Sequence, residues 1–205
     1  MDADAVLREW GSRSGEFSPA YYAYRGPDAT SERLREALDA TVGADGSVLE
    51  LGCSAGRHLD HLRAGGYSAL YGVEVNERAR EAMAETYPEL AAAGTFHFDA
   101  IEAVVGEFGD GAFDAVFSVE TLQHVHADSE WVFEEIARVA GDVLITVELE
   151  GENRPAEDHP MRYVGGDFPL YYRDWGAVFG DLGFEQVARE SVGNDTFRLF
   201  RHTGQ

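Results

Sequence analysis

The chain contains no lysine. All 16 of its basic residues are arginines, set against 38 acids, for a formal net charge of −22 over 205 residues. Releasing counterions from a phosphate backbone needs clustered basic residues, so their scarcity argues against a bare nucleic acid as partner. There is a single cysteine, Cys53. One thiol forms no intrachain disulfide and builds no four-cysteine zinc site. No apolar run approaches the ~18 residues of a membrane-spanning helix, and Met1-Asp2-Ala3-Asp4 lacks the basic flank of a secretion signal. These absences predict a soluble, cytoplasmic protein with no membrane partner. Internal repeats and low-complexity segments are missing too.

What remains is enough to fold. Hydrophobic residues make up 44% of the chain, more than an acidic disordered protein carries, and the length suits one domain with a full core. The charge then reads as a solvated acidic surface suited to concentrated salt. At molar ionic strength the Debye length falls to about 3 Å, which relieves self-repulsion. A halophilic source is the expectation, to be checked by unfolding across a salt series.

The most informative stretch is Val48-Leu49-Glu50-Leu51-Gly52-Cys53-Ser54-Ala55-Gly56. It reads as a buried strand entering a turn of small residues, with a helix opening near Arg57. Ser68-Ala69-Leu70-Tyr71-Gly72-Val73-Glu74 reads as a second strand ending on a carboxylate. Gly52 and Gly56 lack a Cβ, so the backbone turns sharply and a ligand comes close. Glu74 is placed to accept hydrogen bonds from two ribose hydroxyls. The turn is not a G-x-G-x-x-G dinucleotide fingerprint. It has no third glycine, and the carboxylate of Glu50 would repel a phosphate while tolerating a cation, which disfavours an NAD-dependent dehydrogenase. Cys53 reads as small-residue packing, with no partner spaced to make it a nucleophile.

Glu50-x-Gly52-x-Ser54-x-Gly56 with Glu74 resembles the first two motifs of the class I S-adenosylmethionine-dependent methyltransferases, with Ser54 where that family usually has glycine. The resemblance implies S-adenosylmethionine as cofactor, held by Glu50, Gly52, Cys53, Ser54, Gly56, Glu74 and Val75. At the end of the third strand, Phe98-Asp99-Ala100-Ile101 is similar to the family's adenine site. Asp99 would accept from the adenine amino group, the Ala100 amide would meet a ring nitrogen, and Ile101 would pack on the ring. Ser118-Val119-Glu120-Thr121-Leu122-Gln123-His124-Val125 looks like the segment after the fourth strand in many small-molecule methyltransferases. There Ser118 and Val119 would line the methionine end, Glu120 would face the sulfonium or the substrate, and His124 is either a general base or a loop-orienting residue. His124-x-His126 has no third ligand spaced with it, so no metal site is expected.

Spacing predicts helices over 30–42, 57–64, 77–86, 129–140 and 172–182. The 77–86 helix would be capped by Asn76 and closed by Pro88, and Trp131, Phe133, Ile136 and Val139 of 129–140 are available for burial. Strands are predicted over 47–51, 69–75, 94–98, 113–119, 142–149, 184–191 and 196–201, with a Gly193-Asn194-Asp195 hairpin turn. Alternating strands and helices predict an α/β, Rossmann-like, doubly wound sheet of about seven strands with helices on both faces. The resemblance adds that the terminal hairpin inserts antiparallel. The single domain divides into a helical lid segment (1–45), a cofactor-binding core (46–150), a substrate or lid insertion (151–175) and a closing helix end and hairpin (176–205).

Two segments would select the acceptor. One holds Phe17, Tyr21, Tyr22, Tyr24 and Arg25. The other holds Arg154, His159, Arg162, Tyr163, Tyr171, Tyr172, Arg173, Asp174 and Trp175. Tyr21, Tyr24, His124, Arg162 and Tyr163 are the expected substrate contacts, with Arg162 or Arg154 gripping an acidic group. The function implied is methyl transfer to an oxygen, nitrogen or carbon of a small molecule. The alternative is a catalytically silent S-adenosylmethionine-binding regulatory or partner protein. The sequence leaves the oligomeric state open.

Overall fold

The computed structural model describes residues 1–150, 161–164 and 168–204. Three helices, α1 (Ala3–Ser12), α2 (Pro19–Arg25) and α3 (Ala29–Asp39), precede the first strand. Strands and helices then alternate: β1 (Val48–Leu51), α4 (Arg57–Ala64), β2 (Leu70–Val73), α5 (Arg78–Thr86), α6 (Pro88–Ala93), β3 (Thr95–His97), α7 (Ile101–Val104), β4 (Phe113–Val119), α8 (Val132–Val139) and β5 (Ala140–Glu148). A short antiparallel pair follows, β6 (Met161–Val164) and β7 (Phe168–Tyr171), then α9 (Trp175–Asp181), β8 (Phe184–Val192) and β9 (Asp195–His202).

The main sheet has the order β3-β2-β1-β4-β5-β9-β8. Strands β1 to β5 pair in parallel, and β9 inserts antiparallel between β5 and β8. The chain winds outward from β1 to β3, returns to β4 and winds the other way. That reversal leaves a crevice above the carboxyl ends of β1 and β4, where open α/β sheets bind ligands.

Strand periodicity divides the core between two faces. Val48 of β1 joins Leu34, Leu38, Leu59, Leu62 and Phe117 on the face covered by α3 and α4. Leu49 and Leu51 join Val116, Leu144, Ile136, Trp175 and Phe179 on the face covered by α8 and α9. Helix α3 starts on a capping box, in which Asp28 accepts from the Ser31 amide and the Ser31 hydroxyl accepts from the Asp28 amide. Among the described residues no helix is long and apolar enough to cross a membrane.

The predicted strands and the 57–64 helix are present, and the final hairpin turns at Gly193, with φ of 63°. Helix α5 ends at Thr86, just before Pro88 as expected, and Pro88 also opens α6 as its first residue, where a missing N–H costs nothing. Two expectations need correction. Residues 129–131 lie before α8, and Trp131 is exposed because the buried stripe runs through Val132, Phe133, Ile136 and Ala137. Helix α9 begins at Trp175, not 172, capped by the Asp174 carboxylate.

Candidate active site

The crevice is a cavity of about 510 Å³, within the roughly 300–1,000 Å³ range of small-molecule sites. Its floor is the β1–α4 turn. Gly52 and Ser54 both take left-handed backbone, with φ of 73° and 50°, and a Cβ on Gly52 would fall 2.1 Å from Thr121 Oγ1. Glycine is therefore required where the β1 turn meets the loop after β4. Glu74, just past β2, reaches across this turn. Its Oε2 accepts from the Ser54 amide and its Oε1 from the Asn76 amide, both at 2.8 Å. Burial raises the Glu74 carboxyl, and those backbone bonds oppose the rise.

Glu50 is buried, and its Oε2 has no partner among the described residues; the Ser54 hydroxyl is orphaned in the same way. Burial pushes the Glu50 carboxyl well up, against the pull of the Arg57 charge. Orphaned buried polar atoms are costly unless a ligand completes them. An orphaned carboxylate oxygen suits a cationic group, as the sulfonium cofactor's amino acid end would supply. Cys53 packs beside them with its thiol pushed up by burial, which makes it a poor nucleophile.

The second wall is the loop after β4, and Glu148 at the end of β5 anchors it. Its Oε1 accepts from the Ser118 hydroxyl (2.5 Å) and the Thr121 and Leu122 amides, and its Oε2 from the Gln123 amide. Burial raises Glu148 to about 7. The loop so held presents Glu120, in left-handed backbone with φ of 49°, and His124. His124 Nδ1 lies 2.9 Å from the Pro169 carbonyl. A carbonyl only accepts, so Nδ1 carries the proton and Nε2 keeps its lone pair. Burial lowers this imidazole to about 4.

Helix α1 roofs the cavity with Ala3, Val6, Leu7 and Trp10. The Trp10 ring packs on Phe168 at 4.3 Å and on His124 at 4.8 Å between centroids. Asn76 ties this roof down, its Nδ2 donating to the Trp10 and Arg13 carbonyls at 3.1 and 3.0 Å. Tyr22 of α2 lies under Arg57, whose guanidinium sits 5.3 Å from the ring and donates to Asp28. Asp195, at the start of β9, completes the rim. Its carboxyl is raised to about 7 by burial and then by the charge of Glu120.

Of the residues singled out from sequence, Phe17, Tyr22, Glu50, Gly52, Cys53, Ser54, Glu74, Val75, Ala100, Ile101, Val119, Glu120, His124, His126, Arg162 and Tyr172 line this one cavity. Others do not. Gly56 serves packing, since a Cβ there would meet Leu90 Cδ2 at 2.6 Å. Ser118 turns its hydroxyl to Glu148 and away from the cavity. Asp99 is exposed beside the cavity, and its Oδ1 accepts from the Ala100 amide at 2.7 Å, the group expected to meet adenine. Tyr21 and Tyr24 miss because α2 points Pro19, Tyr22 and Ala23 inward. Tyr21 bonds Arg25, and Tyr24 is 93% exposed. Tyr163 is exposed as well. Arg162 stacks over Tyr172 at 5.6 Å, while Arg154 and His159 lie outside the described residues. The sequence marks Asp195, Asn76 and Arg57 only as turn, cap and helix start, and no local pattern shows that they line the cavity. Among the described residues no group of three or more His, Cys, Asp or Glu is arranged to hold a metal.

A family described as a methyltransferase domain matches residues 49–142. An O-methyltransferase of Penicillium expansum is 28% identical over 156 residues, 72% of this chain and 55% of that protein. The chain thus aligns to about half the length of this curated relative. Two solved structures share the fold. One is the Burkholderia thailandensis 1,6-didemethyltoxoflavin-N1-methyltransferase with 1,6-didemethyltoxoflavin and S-adenosylhomocysteine bound, at a TM-score of 0.72, 18% identity, and coverage of 98% of this chain and 88% of that one. The other is the Synechocystis magnesium protoporphyrin IX methyltransferase with bound S-adenosylmethionine, at a TM-score of 0.66, 18% identity, and coverage of 98% and 96%.

Proposed function

We propose that the chain, whose residues 49–142 match a methyltransferase domain, is a class I S-adenosylmethionine-dependent methyltransferase that moves a methyl group from S-adenosylmethionine to a small molecule. The observation that carries this reading is the Glu74 carboxylate, pinned by the Ser54 and Asn76 amides beside the orphaned Glu50 oxygen. Pinned in this way, Glu74 keeps lone pairs for two ribose hydroxyls. Glu50 and the Ser54 hydroxyl receive the cationic amino acid end, while Ala100 and Ile101 border the base. When bound, the cofactor supplies an activated methyl on a positive sulfur. The protein's part is to hold a nucleophile in line with that methyl and to exclude water.

Segments 1–45 and 151–175 are the lid in this reading. The described parts that serve it are the α1 roof and the β6–β7 pair, which place Trp10, Phe168, Arg162 and Tyr172 over the cavity. His124 Nε2 is a neutral, weakly basic acceptor suited to orienting a donor on the substrate. The relatives, an O-methyltransferase and a 1,6-didemethyltoxoflavin-N1-methyltransferase, are in keeping with a small-molecule acceptor. We assign the activity to the cytoplasm.

Calorimetric titration with S-adenosylmethionine, S-adenosylhomocysteine and NAD tests the cofactor. The first two are expected to bind and NAD is not. Labelled-methyl transfer into a metabolite extract at high salt then separates an enzyme from a silent cofactor-binding protein. Tight binding without any transfer would favour the latter.

A further inference from the structure

The cavity carries more negative charge than its cofactor end requires. The Glu120 amide donates to Val147 of β5, and Thr196 of β9 pairs with Glu148 of the same strand. Glu120 and Asp195 therefore stand two strands apart at the carboxyl end of β4 and β5, about 10 Å between backbones, and both side chains line the cavity. The same cavity holds an unsatisfied group: Tyr172 is 5% exposed, and its hydroxyl is buried without a partner among the described residues. Trp10, Phe17 and Tyr22 add aromatic surface. The positive charge at hand is shared: Arg57 is bonded to Asp28 and, with Arg25, also acts on Glu120, while Arg162 stacks on Tyr172.

A pair of carboxylates in a cavity with aromatic walls and an unpaired hydroxyl is a site for a desolvated cation. Resting on the methyltransferase reading, we infer that the acceptor is an amine on a flat apolar body, bound as its ammonium form by Glu120 and Asp195 in the cavity that Tyr172 also lines. The aromatic walls hold the body. The carboxylates hold the ammonium and prepare it for reaction. An N–H bond of the ammonium breaks and its proton passes to the Asp195 carboxylate, which becomes a neutral acid. The nitrogen keeps the electron pair and forms the N–C bond as the C–S bond of the sulfonium breaks, returning that pair to sulfur. The products are an N-methylated ammonium and a neutral thioether. Burial and the neighbouring Glu120 charge raise the Asp195 carboxyl to about 7, which makes it a better base than an ordinary carboxylate.

The test compares phenethylamine with its neutral counterpart 2-phenylethanol on protein loaded with S-adenosylhomocysteine, by calorimetry. The amine is expected to bind about tenfold more tightly or better. Asp195→Asn should remove most of that preference while S-adenosylhomocysteine affinity stays within about twofold of the parent, which also reports an intact fold. Labelled-methyl transfer to matched sets of aryl amines and aryl alcohols should mark the amines. Equal affinity for the alcohol, no binding of the amine, or label in the alcohols alone would each overturn the inference. Failure of S-adenosylhomocysteine to bind would instead remove the methyltransferase reading on which it rests.

Discussion

Glu74 concentrates the cofactor argument in one carboxylate. Of its roughly four lone-pair sites, the Ser54 and Asn76 amides occupy two, the Val75 amide also acts on the carboxyl, and the residue lines the cavity. Charge-assisted hydrogen bonds contribute about 1.5–3 kcal/mol, so Glu74→Ala should weaken S-adenosylhomocysteine binding by roughly 10- to 100-fold. Calorimetry giving parent-like affinity would remove Glu74 from the site. His124 offers a different handle, since burial lowers it to about 4 while an unfolded histidine titrates near 6.5. Between those values the unfolded chain takes up a proton that the folded chain refuses. Stability from this group is therefore full above about pH 6.5 and is lost as pH falls toward 4. His124→Asn lacks this contribution. The variant should be less stable than the parent at pH 7, and the gap should shrink by as much as about 3 kcal/mol on acidification to pH 4. Chemical unfolding at pH 7, 6, 5 and 4 measures it, and a gap independent of pH would mean that this imidazole is not held neutral.

Asn76 joins three pieces of chain. Its amide holds Glu74, its Oδ1 accepts from the Arg78 amide at the start of α5, and its Nδ2 clasps the end of α1. Helix α1 packs on the rest through few elements, chiefly β7 and the turn Ala127–Ser129. Asn76→Ala should therefore free the roof before it unfolds the sheet. Hydrogen exchange is expected to quicken across Ala3–Ser12 with little change in β1 or β4, whereas uniform quickening would show that α1 is not a separate unit. The sequence made the sheet legible because β1, β2, β4 and β5 are short apolar runs bounded by turns and crossover helices, a local signal. The roof was not legible in the same way. Helix α2 has seven residues, too few to be stable alone, so packing and not propensity sets its phase. That phase puts Tyr22 inside and leaves Tyr21 and Tyr24 outside. Asp195 was hidden for a longer-range reason: its turn is obvious, but its approach to the cavity exists only once β9 has inserted beside β5. Asp99 differs again: it is legible as an acid at a strand end, and the neighbouring amide engages one of its oxygens.

Charge acts on the chain as a unit. Arginines in surface pairs, such as Arg33 with Glu190, Arg63 with Asp60 and Glu89, and Arg138 with Asp110 and Glu135, contribute little each and are weakened by salt. Against them stands an excess of 22 negative charges, whose repulsion disfavours the compact state and which salt also weakens. The two effects have opposite signs, so their balance decides how stability responds to salt. Sixteen bases cannot neutralise 38 acids, and at low ionic strength the unmatched acids interact over the whole surface, because the Debye length at 0.01 M is about 30 Å. At 1 M it is about 3 Å, shorter than the spacing of neighbouring surface side chains, and the repulsion is largely gone. The melting temperature should therefore rise from 0.01 to 1 M potassium chloride, with most of the rise complete by the upper end. Buried groups that lie out of reach of screening, among them Glu50 and Glu148, should contribute little to the change. A melting temperature that is flat or falls over the series would mean that local ion pairs outweigh the net charge, and the proposal of a chain adapted to concentrated salt would fail with it.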